Sequence, residues 1–252
     1  MRFVAVGDSF TEGMADGRPD GTLRGWADLV AAGLASSEGE AVRYANLAVR
    51  GRLLEPIVDE QLEAALSLDP PPTLISFNGG FNDMMRPRVD MAGLTVRTER
   101  AIRRSAEAGV RLVLLSAPDP SERLPFGRVM RRRGEILAAA VAGFAVTYDV
   151  PFVDVFHDAE IRRVRYWSPD RLHLNAAGHR RVASLVLNAL GCPTAEHVAG
   201  PGRSERRGVM AEARFYREHV LPWVMRRAGR RSSGDNRSGK IEDWIPIEAT
   251  VQ

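Results

Sequence analysis

One cysteine, Cys192, and one lysine, Lys240, stand among 252 residues. A lone thiol cannot close an internal disulfide, and neither a Cys-rich zinc site nor a CxxC redox pair can be assembled around it. The lysine is followed by Ile241 in a polar stretch. This excludes the phosphate-cradling loop that ends in Gly-Lys-Ser/Thr, and with it nucleotide hydrolysis of that type. Long apolar runs are missing too: nothing approaches the roughly 18 to 20 residues that a membrane-crossing helix needs. The opening residues, Met1 to Asp8, lack the apolar region and cleavage site of a secretory signal. The sequence therefore reads as cytoplasmic, without stable membrane insertion.

With 44% apolar residues, the chain can build one sizeable core over one or two domains. Its net charge of +3 conceals an asymmetry. Residues 1–200 carry 24 Lys and Arg against 25 Asp and Glu, whereas residues 201–252 carry 11 against 7. The basic character sits in the tail. A slightly acidic body with no recognised reader motif argues against nucleic-acid binding.

Short apolar runs rich in β-branched residues predict strands at Phe3–Val6, Val42–Leu47, Thr73–Phe77, Leu112–Leu115 and Phe152–Val155. Helical spacing between them is carried by Trp26, Leu29, Val30 and Leu34; by Ile57, Gln61, Leu62 and Ala65; and by Ile136, Ala140 and Phe144. A last helix is expected from the capping residue Asn175 to a stop at Gly191. Alternating β and α elements require crossover connections, hence a mostly parallel sheet covered on both faces. Ligands in such folds bind beyond the carboxyl ends of the strands. Past residue 199 the pattern changes. Gly200-Pro201-Gly202 reads as a hinge, Arg203 to about Met225 as a basic amphipathic helix interrupted by Pro222, and residues 229–240 as a disordered linker. We divide the chain into a catalytic domain, 1–199, and a C-terminal helix with a disordered tail, 200–252. The helix has three open roles: packing on the body, joining two subunits as a homodimer, or resting on an anionic membrane surface.

The residues just after the strands carry the chemistry. Gly7-Asp8-Ser9 follows the first, where a hydroxyl is exposed over the sheet beside the free N–H groups of a helix start. Ser9 there is either a nucleophile or a simple cap. A serine needs a base, and of five histidines His173 lies in a loop-like stretch with Asp170 three residues upstream. In a tight turn that carboxylate can hold the imidazole Nδ1–H, although an ordinary surface contact fits the same spacing. Oxyanion donors are offered by Gly51, after the second strand, and by the side-chain amide of Asn82, in Gly79-Gly80-Phe81-Asn82-Asp83 after the third. Both residue types are also routine in turns.

Gly7-Asp8-Ser9, Gly51, Gly80-Phe81-Asn82-Asp83 and Asp170-Arg171-Leu172-His173 occur in this order on loops expected to share one face. The set resembles the SGNH hydrolases, also called the GDSL esterase and lipase superfamily, over residues 1–191. The resemblance implies a flavodoxin-like three-layer α/β/α sandwich with a five-stranded, mostly parallel sheet. It also implies Ser9 as nucleophile, His173 as base and Asp170 as its orienting acid. Ser9 N–H, Gly51 N–H and the Asn82 amide become the oxyanion hole, with no metal or organic cofactor. The Gly-x-Ser-x-Gly elbow of the α/β-hydrolases is absent around Ser9. Hydrolysis of a small-molecule ester and transfer of the acyl group to an alcohol acceptor both remain open at this level, as does an idle binding module. Tyr166 and Trp167 can wall a pocket or pack, Asp83 is expected to anchor its loop, and Arg131-Arg132-Arg133 is expected to be a solvated face, with steering of an anionic substrate as its other reading.

Overall fold

Strand β1 (Arg2–Val6) sits inside a six-stranded sheet of order β5-β4-β3-β1-β2-β6, in a computed structural model that describes residues 1–124, 127–192, 194, 217 and 234–249. Its neighbours β2 (Val42–Asn46) and β3 (Leu74–Phe77) run parallel to it, followed outward by β4 (Arg111–Leu115) and β5 (Phe152–Val153). Successive side chains of a strand point to opposite faces, and here both faces are covered. Phe3 and Ala5 join a core with Trp26, Val30 and Leu34 of α2 (Trp26–Glu38) and Val182 and Val186 of α8 (Ala176–Ala189). Val4 and Val6 face the other way, onto Ala101 and Ile102 of α6 (Met91–Glu107) and Leu137 and Val141 of α7 (Gly127–Tyr148). This is the layered α/β/α arrangement that the alternating pattern implied.

The five expected strands occupy their places to within two residues. The sheet has a sixth, β6 (Ile241–Ile247), which lies antiparallel on β2. The expectation of a five-stranded sheet, with a disordered linker and tail, is therefore corrected over residues 234–247, where Gly234 is buried, Lys240 pairs with Asp28 and β6 joins the sheet. Ile241-Glu242-Asp243-Trp244-Ile245-Pro246-Ile247 does not advertise a strand, because two adjacent acids and a proline interrupt it. Proline is tolerated here because β6 is an edge strand. Ile241 and Ile247 pack on one core and Trp244 on the other, so even this edge strand is sandwiched. The basic helix expected over residues 203–225, and any dimer contact through it, lie outside the described residues apart from Arg217.

Helix α6 also went unread in the sequence. Its inner face is Leu94, Thr98, Ala101, Ile102 and Ser105, only partly apolar. Thr98 and Ser105 satisfy their hydroxyls on the carbonyls of Leu94 and Ala101, so these polar residues can be buried in the helix. No described helix is long and apolar enough to cross a membrane.

Candidate active site

Parallel strands put their carboxyl ends on one edge. With Ala5 level with Asn46 and Val6 level with Phe77, the segments after β2, β1 and β3 emerge side by side. They carry Gly51, Ser9 and Asn82. Ser9 opens the short helix α1 (Ser9–Glu12), whose cap is Asp8: the carboxylate accepts the Phe10 N–H at 3.1 Å. The cap role is thus taken by Asp8, which leaves the Ser9 hydroxyl free of that duty. Its N–H, at the first helical position, is one that helix geometry leaves without an intrahelical acceptor.

Asn82 lies in α5 (Phe81–Met84), entered through Gly80 at φ 91°, a left-handed conformation that favours glycine. Its side-chain nitrogen donates to Asp8 Oδ2 at 2.9 Å and to the Arg52 carbonyl at 3.0 Å. Asp83 accepts the Leu54 N–H at 2.9 Å, the anchoring part expected of it. Gly51 adopts φ 76°, again left-handed. The residue before it is clamped: Glu12, nearly buried, accepts the Arg50 N–H at 2.6 Å and its Nε at 2.9 Å.

His173 arrives from farther away, on the loop between β5 and α8. Its Nδ1 stands 2.6 Å from Asp170 Oδ2. The other oxygen, Oδ1, accepts from Ser168 Oγ at 2.5 Å and from the backbone N–H groups of Leu172 and His173 at 2.9 Å each. Burial opposes ionisation of Asp170, but the hydrogen bonds and charge of His173 prevail and hold the carboxyl well below its usual range. The loop is tied at its base by Asn175, which caps α8 and also donates to the carbonyls of Arg165 and Trp167.

A buried histidine joins α8, the helix that follows this loop, to the turn after α1 and to the start of α2. On the first turn of α8, His179 accepts the Trp26 N–H on Nδ1 at 3.2 Å and donates from Nε2 to the Met14 carbonyl at 3.0 Å. Its ring stacks on Phe10, the residue after Ser9, with centroids 6.5 Å apart. Desolvation lowers its pKa to about 4, which matches a neutral ring that both accepts and donates. Burial raises the pKa of Asp8 to about 6, against the opposing effects of the Phe10 hydrogen bond and the charge of His173. No direct Ser9–His173 hydrogen bond is formed, and such contacts are often long before substrate binds.

A second Asp-x-x-His, Asp154 to His157, has different surroundings. His157 is 44% exposed and lies between Asp154 and Glu135, each 2.7 Å from one ring nitrogen. The Glu135 hydrogen bond, with help from Asp154, raises its pKa. With both nitrogens occupied by carboxylates, it has none left for a serine.

The sequence matches the GDSL-like lipase/acylhydrolase family over residues 5–181. The chain belongs to that family. It is an ester hydrolase of the SGNH type. No curated protein matches it. Among solved structures, a catalytic mutant of Axe2, an acetylxylan esterase from Geobacillus stearothermophilus, is 20% identical, with TM-score 0.61 over 79% of this chain and 97% of that one. The psychrotrophic esterase EstA from Pseudoalteromonas sp. is 15% identical, with TM-score 0.59 over 75% and 96%. LAE5, an alpha/beta hydrolase enzyme from the metagenome of Lake Arreo in Spain, is 21% identical, with TM-score 0.61 over 77% and 96%. At these identities the likeness is one of fold.

Within this GDSL hydrolase, several supporting residues escaped the sequence reading. Ser168 was legible only as part of Ser-Pro-Asp, and Glu12 and Arg50 only as charges on two separate loops. His179 looked like one more helical residue. Arg133 is not part of a solvated face: its guanidinium donates to the carbonyls of Met84, Arg86 and Pro87, pinning the loop after Asn82. Tyr166 and Trp167 are buried, with the Trp167 indole N–H on the Ile161 carbonyl at 2.6 Å, so they pack.

Proposed function

We propose that this chain is a serine esterase acting on short-chain or carbohydrate-linked acyl esters through an acyl-enzyme. The observation that carries the reading is the Asp170–His173 pair, 2.6 Å apart on the loop before α8, the helix that His179 ties to the turn after α1. The Ser9 Oγ attacks the ester carbonyl carbon while His173 Nε2 takes its proton. Asp170 holds Nδ1–H, which fixes the tautomer and favours the imidazolium. The oxyanion that forms accepts from the Ser9 N–H, the Gly51 N–H and the Asn82 amide, which exchanges its Arg52 carbonyl for it. Collapse breaks the ester C–O bond, and His173 returns the proton to the leaving alkoxide. Water then repeats the sequence on the acyl-enzyme, giving its proton to His173 and releasing the acid as Ser9 regains its own.

One feature supports a short acyl group: the similar Axe2 protein is an acetylxylan esterase. The test is turnover of an ester series from acetyl to dodecanoyl, with acetylated xylose included. Acetyl and propionyl esters are expected to have the highest kcat/KM. A maximum at long chains would refute the short-acyl assignment, and loss of no activity in the Ser9→Ala protein would refute the mechanism.

A further inference from the structure

The match to the family ends at residue 181, yet the chain returns to the catalytic edge after that point. Residues 234–249 climb along β2 and the loop that follows it. Ile241 pairs with Asn46, the last residue of β2. Gly239 lies against Leu47, so close that a Cβ on it would stand 3.0 Å from the Leu47 Cα. Gly234, buried, lies against Arg50: a Cβ there would overlap the Arg50 carbonyl oxygen and stand 2.9 Å from Val49 Cγ1. The three contacts thus ascend from residue 46 to residue 50.

The last contact matters because of what the peptide unit contains. The Arg50 carbonyl and the Gly51 N–H belong to one rigid plane, so whatever presses on the oxygen turns the N–H. Glu12 grips Arg50 from the α1 side, through its backbone N–H and guanidinium. The terminal segment lies against the carbonyl of the same residue. It is itself fastened at two points: Lys240 reaches Asp28 of α2 at 2.6 Å, and the Trp244 indole N–H reaches the Pro70 carbonyl at 3.0 Å. The Lys240–Asp28 pair is well shielded, with side-chain exposures of 13% and 17%. A fixed amide is what an oxyanion donor requires, because preorganisation spares reorienting a dipole as charge develops.

We infer that residues 234–247 form a strap whose task is to aim the Gly51 N–H, with Gly234 as the positioning residue and Lys240 as the strap's anchor. The inference rests on the reading of Gly51 as an oxyanion donor. Gly234 is glycine because a side chain would displace the Arg50–Gly51 peptide, and the only lysine of the chain is placed where it holds the strap to the body.

The experiment compares full-length wild type with Gly234→Ala, Lys240→Met and Lys240→Arg. Acetate-ester hydrolysis is normalised to sites titrated with a fluorophosphonate, so that misfolded protein does not count. Gly234→Ala should lower kcat per site roughly tenfold or more, because displacing a catalytic donor by about 1 Å can cost up to about a hundredfold. KM should stay within about twofold, and affinity for a trifluoromethyl ketone, which forms an anionic tetrahedral adduct on serine, should fall in step with kcat. Lys240→Met should move the same way by a smaller factor, and Lys240→Arg should restore it. A merely structural strap would lower the melting temperature and the titratable fraction while leaving kcat per site and ketone affinity intact. That result in both Gly234→Ala and Lys240→Met overturns the inference. An Asn82→Ala control separates the two levels. If it loses activity while the strap variants do not, only the strap fails. If it too keeps full activity, the oxyanion assignment fails and the strap's role goes with it.

Discussion

The side-chain amide of Asn82 donates to the Asp8 carboxylate at 2.9 Å, joining the loop after β3 to the cap of the helix that Ser9 begins. Asp8 is therefore more than the middle letter of a motif. One of its oxygens orders the Ser9 turn and the other aims the amide proposed to meet the oxyanion. Asn82→Ala should reduce kcat by about two to three orders of magnitude with little change in KM, the cost of losing one oxyanion donor. Asp8→Asn should cost about tenfold, since it keeps a cap but replaces the charged anchor of Asn82. Steady-state kinetics on an acetate ester measure both.

Two buried groups give stability opposing slopes with pH. Burial raises the pKa of Asp8 from 3.8 to about 6, so between those values the folded state binds more protons than the unfolded chain and stability falls as pH rises. His179 is shifted the other way, from 6.5 to about 4, and over that range stability falls as pH drops. Each effect amounts to up to about 3 kcal/mol, and in the window from pH 4 to 6 they offset one another. Relative to wild type, Asp8→Asn should therefore lose stability on acidification from pH 6 to 4, and His179→Gln should gain it. Urea midpoints at half-unit pH steps read this directly, and parallel profiles for all three proteins would contradict it.

Asp170 holds His173 in one tautomer, and Ser168 holds Asp170. Asp170→Asn should lower kcat by about four orders of magnitude, the loss associated with an imidazole in the wrong tautomer. Ser168→Ala removes only one of the four hydrogen bonds described on that carboxylate, so a loss of about tenfold is expected, accompanied by an upward shift of the Asp170 pKa. The carboxyl carbon resonance of Asp170, followed by NMR against pH, distinguishes this from a general loss of fold.

The sheet was legible because its five parallel strands are buried on both faces and so appear as continuous apolar runs. Strand β6 was hidden by its own chemistry: an edge strand keeps Glu242, Asp243 and Pro246, and its three core residues are spaced by three positions. The roles proposed for Ser9, Asn82 and His173 were suggested by a family resemblance rather than by local pattern, since each alone fits a turn. What no one-dimensional reading contains is the set of long-range ties, Asn82 to Asp8, His179 to Met14 and Trp26, Glu12 to Arg50, and Gly234 against Arg50. These join segments 38 to 184 positions apart or convert an ordinary glycine into a spacer.

In the proposed reaction Ser9 becomes covalently acylated with His173 as its base. Reaction with a fluorophosphonate, followed by intact-mass measurement and peptide mapping, reads that bond. One adduct per chain is expected, on the peptide containing Ser9, abolished in Ser9→Ala and slowed by about three orders of magnitude or more in His173→Ala. An adduct that persists in Ser9→Ala, or that maps to another residue, would contradict it.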